Sequence, residues 1–344
     1  MNISINDLTL DQKIGQLFMV AAVADEEVAK DFLSKKSYRM NKEYVTELIT
    51  QYHIGGIIYL GKSDTEKQIE RTHYFQSISG IPLLIGQDLE PGRVGISRLQ
   101  AMECFFDNKE LGERNEKDTT YKTGFKIGKY CKKLGVHINF APVADVNNNP
   151  NNPVTNDRSF GNNPELVTQH AIAFAQGLRD AGIIACAKHF PGHGDTNVDS
   201  HKALPLIMHK RERLDAIELY PFKQLIAENI PAIMIAHLEV PALENQPKTP
   251  SSVSRKIVTD LLQKELGFKG LIITDGLDMQ GITNHYFRGQ AELQALLAGN
   301  DILLCPVDVP AAITVIKEAV ADGVITEQEI DEHVKKILDI KKNI

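Results

Sequence analysis

Chemistry concentrates in one stretch, Lys188-His-Phe-Pro-Gly-His-Gly-Asp-Thr-Asn-Val-Asp-Ser-His201. Lys188 and His189 close an apolar run, and Pro191 with Gly192 must then turn the chain sharply. Gly192 and Gly194 are expected to let the backbone approach a ligand or swing over one. Asp199 and His201 stand two residues apart, a spacing at which a carboxylate on a turned loop can reach an imidazole. An ionised carboxylate there would raise the histidine pKa and orient its ring, making a proton donor near neutral pH. Taken as an isolated Asp-Ser-His tripeptide, the pair fits an inert surface loop better than a catalytic one. The whole segment around it favours chemistry. A bound metal is the competing reading of His189, His193, Asp199 and His201, but the spacings match no compact zinc motif and no metal is expected.

A second candidate is Asp275, which closes the run Leu271-Ile-Ile-Thr-Asp and precedes Gly276. Position alone leaves it open between a nucleophile and a structural carboxylate that caps a helix or pairs with an arginine. Comparable runs are also followed by ionisable residues. Asp88, Glu90, Arg93 and Arg98 follow the third, Asp145, Asp157 and Arg158 the fourth, and His237 ends the sixth. Charged side chains are rarely buried unless paired, so core packing does not account for so many in one register.

Eight short apolar runs must position these groups: Gly15–Val20, Gly55–Leu60, Pro82–Gly86, His137–Pro142, Ile183–His189, Ala232–His237, Leu271–Asp275 and Ile302–Cys305. Rich in Ile, Leu and Val, they suit a parallel sheet covered by helices. Apolar residues three and four apart mark helices between them, near 44–52, 66–78, 121–134, 166–181, 214–227, 257–266, 291–298 and 311–321. A last helix, about Glu327 to Lys341, opens on a capping-box spacing of Thr326 and Glu329. This alternation predicts an α/β fold, a (β/α)8 TIM-type barrel with irregularity expected in the early strands. Active-site groups of such a barrel lie at the carboxyl ends of the strands. No GxGxxG follows the first run, which weakens a dinucleotide site. An α/β barrel of ~250 residues or more is one unit, so residues 1–344 read as a single catalytic domain. The polar stretches Asn147–Pro164 and Phe190–Pro205 read as long βα loops.

The 344 residues are 42% apolar and carry a formal net charge of −7, which argues against a nucleic-acid or anionic-lipid surface. No run reaches the ~18 apolar residues of a membrane span, and Met1–Asp11 lacks an apolar signal core. A cytoplasmic location is expected, or a periplasmic one if an export signal has been removed. Cys104, Cys131, Cys186 and Cys305 are scattered without a CxxC pair and read as buried thiols rather than disulfides. A monomer without cofactor is the default expectation.

Lys188–Gly194 followed by Asp199-Ser-His201 closely resembles glycoside hydrolase family 3, in its β-N-acetylglucosaminidase branch. Leu10–Val20 resembles that family's opening strand, Asp88–Val94 its Asp-Gln-Glu-Gly-Gly-Arg-Val turn, Asp157–Gly161 its Asp-Arg-x-Phe-Gly loop, and Leu271–Met279 its nucleophile strand. The resemblance implies a retaining enzyme that removes terminal β-linked N-acetylglucosamine, with muropeptides from peptidoglycan as the implied substrates. By the same resemblance Asp275 is the nucleophile that forms a glycosyl-enzyme intermediate, and His201, assisted by Asp199, is the acid/base. Asp88, Arg158, Lys188 and His189 would bind sugar hydroxyls, and Met234 would line the pocket. Arg98 matches a further sugar-binding arginine, with two extra residues after Val94 displacing its register. Leu89 and Pro91 depart from the family's Gln and Gly, and Gly276 stands where relatives often carry Asp. Phosphate in place of water as acceptor, a β-glucosidase of the same family and a non-catalytic sugar-binding barrel are the alternatives.

Overall fold

The computed structural model describes residues 3–34, 40–92, 95, 105–200, 202–342 and 344. Eight parallel strands lie in the order β7-β6-β5-β4-β3-β2-β1-β8. They are β1 Phe18–Ala22, β2 Gly56–Tyr59, β3 Leu84–Gln87, β4 Ile138–Asn139, β5 Ile184–Phe190, β6 Ala232–Ile235, β7 Leu271–Thr274 and β8 Leu303–Leu304. Between β7 and β8 the contact is made by a parallel bridge of Ile273 with Ile302. The Thr274 amide donates to Ile302 O at 3.0 Å and the Ile302 amide to Ile272 O at 3.0 Å. The sheet thereby closes into the expected (β/α)8 barrel. Strand burial is near complete, as required when an interior core and an outer ring of helices cover both faces.

Two expectations need correction. The run Gly15–Val20 is not a strand throughout, because Gly15 and Gln16 end the helix Leu10–Gln16. Thr9 and Gln12 form a reciprocal capping box that starts this helix, and the strand begins only at Phe18. The early strands are also regular, with β1, β2 and β3 paired in continuous register. Irregularity falls later, in the two-residue strands β4 and β8 and in a register shift between Ala187 and Phe190 of β5. There the His189 amide donates to the Asp145 carboxylate at 3.1 Å, so a side chain replaces a ladder partner.

Around the barrel, Lys117–Lys133 packs on Pro164–Asp180 as the most extensive helix pair. The closing helix Glu327–Lys341 seals the amino-terminal end of the barrel. Buried Asp301 accepts from His333 Nδ1 at 2.8 Å and from Lys336 Nζ at 3.1 Å, and buried Lys341 donates to Gln16 Oε1 at 2.7 Å. Cys131, Cys186 and Cys305 are buried free thiols; Cys104 lies outside the described residues. Among the described residues no helix is long and apolar enough to cross a membrane.

Candidate active site

Asp88, Arg158, Lys188, His189, Met234 and Asp275 line one cleft of about 270 Å³ at the carboxyl ends of the strands, the size of a small-ligand site. His193, Ser200, Asp278 and Met279 share its wall, with an apolar side from Phe32, Ile58, Leu60 and Leu304. A larger hollow, about 490 Å³ around Lys132, His137 and Arg179, opens at the amino-terminal end and touches none of these groups. Among the sequence-predicted residues, Arg98 and His201 lie outside the described residues, as does Arg93. Asp199 is half-buried on the loop after β5, one residue before cleft-lining Ser200.

The polar floor of the cleft is a four-membered charge network. Lys188 Nζ donates to Asp88 Oδ1 and to Glu90 Oε1, each at 2.6 Å. Arg158 grips Glu90 with two bonds, Nε to Oε2 at 3.0 Å and a terminal nitrogen to Oε1 at 2.8 Å. Burial alone would push the Glu90 carboxyl up, but Arg158 and Lys188 outweigh it and hold it well below the usual carboxylate range. Two cations and two anions sum to zero, which keeps them ionised out of water. Asp88 retains 25% of its side-chain exposure while Glu90 has 1%, so Asp88 faces the cleft and Glu90 supports it from below.

A second network sets the histidines. Asp145 is fully buried and accepts from the amides of His189 (3.1 Å) and His193 (2.7 Å) and from His189 Nδ1 (2.7 Å). Burial raises this carboxyl, yet the two histidines bring it below its ordinary value. Since a carboxylate only accepts, His189 carries its proton on Nδ1 and keeps Nε2 for the cleft. Gly194 serves packing: a Cβ there would stand 1.8 Å from Val146 O, and one at Gly192 would strike Glu218. Where approach to a ligand or a swinging loop was expected of these glycines, the structure shows close packing against the protein itself. They let the loop after β5 lie directly on the loop after β4 and on the 211–227 helices.

Asp275 follows β7 immediately. Its amide donates to Ile235 O at 2.8 Å, and the Gly276 amide donates to its Oδ1 at 2.8 Å. The next carbonyl, Gly276 O, accepts from His237 Nε2 at 2.9 Å, while His237 Nδ1 lies 2.7 Å from Ser252 Oγ. His237 is wholly buried and acts as a strut beneath the Asp275 turn.

The metal question also changes. His189 and His193 are engaged by Asp145, Thr196 and Ser200. Among the described residues the group that could hold an ion is instead Asp195, His209 and Glu218, outside the cleft lining. Arg213 already lies 2.6 Å from Glu218 and 3.9 Å from Asp195, filling that place with a guanidinium.

Sequence reasoning placed Glu90, Asp145 and His237 in the strand-end register without giving them a part. Their signal was that register itself: a charged or histidine residue where the chain is certain to be buried. Ser200 carried no such signal.

Among known proteins, the chain is 39% identical over 283 residues to the β-hexosaminidase A of Pseudoalteromonas piscicida, covering 76% of this chain and 47% of that one. It is 33% identical over 305 residues to the β-hexosaminidase LpqI of Mycobacterium tuberculosis, covering 86% and 77%. The solved structure of a family 3 β-N-acetylglucosaminidase from a Paenibacillus species superposes with a TM-score of 0.87 at 37% identity, covering 98% of this chain and 62% of that one. The chain therefore spans about half the length of the first relative and under two thirds of the Paenibacillus protein. The sequence model of the glycosyl hydrolase family 3 N-terminal domain matches residues 9–340. With nearly every residue inside that match and the barrel geometry in agreement, the chain belongs to glycosyl hydrolase family 3.

Proposed function

We propose that this chain is a retaining β-N-acetylhexosaminidase that releases terminal β-linked N-acetylglucosamine. The observation that carries the reading is the convergence of Asp275 with Asp88, Arg158, Lys188 and His189 on one cleft of single-sugar size. In the first half-reaction an Asp275 carboxylate oxygen attacks the anomeric carbon as the bond to the leaving oxygen breaks. That oxygen takes a proton from the Asp199–His201 pair. In the second half-reaction the pair removes a proton from water, whose oxygen displaces Asp275 from the anomeric carbon. Asp88, with Arg158, Lys188 and His189, offers acceptors and donors for the ring hydroxyls, and Met234 covers an apolar face.

The relatives named as β-hexosaminidases and the Paenibacillus β-N-acetylglucosaminidase support this choice of sugar. Muropeptide fragments are the proposed natural substrates, hydrolysed in the cytoplasm by a monomer whose residues 1–344 work as one catalytic domain. Among the described residues, Lys188 and Arg158 are neutralised by Asp88 and Glu90, so these two leave no surplus cation on the cleft floor for phosphate, which favours water as the acceptor. The test is trapping with a 5-fluoro N-acetylglucosaminyl donor followed by peptide mapping. The label is expected on Asp275, and a label on any other residue refutes the assignment. Faster cleavage of 4-nitrophenyl β-glucoside than of the matching N-acetylglucosaminide would refute the choice of sugar.

A further inference from the structure

We infer that Ser200 and His193 form a positioning pair that sets the register of the Asp199-bearing loop against the Asp275 turn. The inference rests on the reading that Asp199 and His201 handle the proton, and it names what anchors the loop at the residue next to Asp199. After β5 the chain leaves the barrel and returns near residue 205, with Asn197 and Val198 exposed to solvent. A polar loop of this length has many conformations unless it is tied down, and fixing a proton donor to within about half an ångström needs anchors on rigid elements.

Ser200 is such an anchor, buried to 1% exposure while Asn197, Val198 and Lys202 are exposed. Its hydroxyl lies 3.0 Å from His193 Nε2. The His193 ring is itself immobile. Its Nδ1 lies 2.9 Å from Thr196 Oγ1, its amide is bound to Asp145, and its carbonyl accepts from Asn152 at 2.8 Å. Burial, then neighbouring His189, push this imidazole down to about 4. At neutral pH the ring is neutral, with one donor and one acceptor nitrogen for the two hydroxyls.

From the opposite side, the Gly281 amide donates to Ser200 O at 3.1 Å. A Cβ at position 281 would stand 2.9 Å from Ser200 O and 3.2 Å from Ala203 O, so only glycine allows this approach without movement. Gly281 belongs to the short helix Gln280–Thr283 that follows Asp275. One residue is thus tied by its side chain to the turn just after β5 and by its carbonyl to the short helix beyond β7. Asp199 stands directly before that tie. Ser200 touches no reacting atom in this scheme; it acts through its neighbours.

The experiment compares the wild-type chain with Ser200→Ala, Ser200→Thr and Gly281→Ala. Two N-acetyl-β-glucosaminides are used, one with a dinitrophenyl leaving group that departs without a proton and one with an alkyl leaving group that requires it. Hydrogen exchange is read over peptides spanning 196–204. Ser200→Ala is expected to lower kcat/KM for the alkyl glycoside by roughly tenfold, and several-fold less for the dinitrophenyl glycoside. Exchange should accelerate by a similar factor. Ser200→Thr, which keeps the hydroxyl, should recover most of both effects, and Gly281→Ala should reproduce the Ser200→Ala pattern from the other side. Equal losses on the two glycosides, or unchanged exchange in Ser200→Ala, would overturn the inference. A wild-type chain that cleaves neither glycoside overturns the functional reading instead, while the exchange data still decide the tether.

Discussion

Replacing Glu90 by Gln tests the cleft floor while changing almost no volume. Glu90 has 1% of its side chain exposed and receives two bonds from Arg158 and one from Lys188. Glutamine keeps the shape but removes the charge, and one of its ends then presents N–H groups to a cation. A buried cluster of net zero charge becomes net positive. Breaking a buried ion pair costs about 3–5 kcal/mol. Lys188 keeps Asp88 as a partner, which places the expected loss at about 3 kcal/mol. The dependence on pH gives the sharper check. The folded Glu90 pKa is depressed, so its contribution is present above its unfolded value of about 4.3 and is lost as pH falls through the lower folded value. The wild-type advantage over Glu90→Gln should be whole at pH 7 and shrink steadily below pH ~4. Urea unfolding followed by far-UV circular dichroism is the assay, since the chain has no tryptophan to report by fluorescence. An advantage under 1 kcal/mol at pH 7, or one of the same size in acid, would refute the reasoning that the network is a coupled ionised unit.

Two further outcomes follow from buried groups. Lys341 is buried and its ammonium is pulled down to about 7, against 10.5 in the open chain, because burial penalises the charge. The folded value lies below the unfolded one, so the penalty is in full force below pH 7, fades as pH rises, and is gone above about 10.5. Lys341→Met should raise stability by about 2 kcal/mol near pH 7, with the gain vanishing by pH ~10.5; a gain independent of pH in thermal melts would contradict it. His237→Phe removes the strut under Gly276 O and leaves buried Ser252 Oγ without that partner. It should cost about 1–3 kcal/mol of stability and lower kcat on N-acetylglucosaminides roughly tenfold or more through misplacement of Asp275. Unchanged kcat in a destabilised variant would limit His237 to a structural part.

Hydrophobic period and turn chemistry make the barrel legible in the sequence. Short β-branched runs alternating with 3.6-period segments admit few other packings, because each strand must be covered on both faces. The same periodicity misjudged the start of β1, where a side-chain cap at Thr9 extends a helix into an apolar run that carries no trace of it. The loop glycines were legible as places of close approach, but not as to what approaches. Val146 O and Glu218, which meet Gly194 and Gly192, come from distant parts of the chain.

What the sequence determined by itself was the list of groups at strand ends and the order of elements that brings them to one rim. Both are local: a run of apolar residues fixes where a strand stops, and the ionisable residue after it has nowhere to go but the mouth. Which of those groups meet substrate and which support from below was decided only by the closed barrel. Asp88 and Glu90 are two residues apart and chemically alike, yet one retains access to the cleft and the other is enclosed by Arg158 and Lys188, contributed 68 and 98 residues further along. Exposure, pKa and hydrogen-bond partners depend on neighbours that chain closure supplies, and those neighbours are remote in sequence.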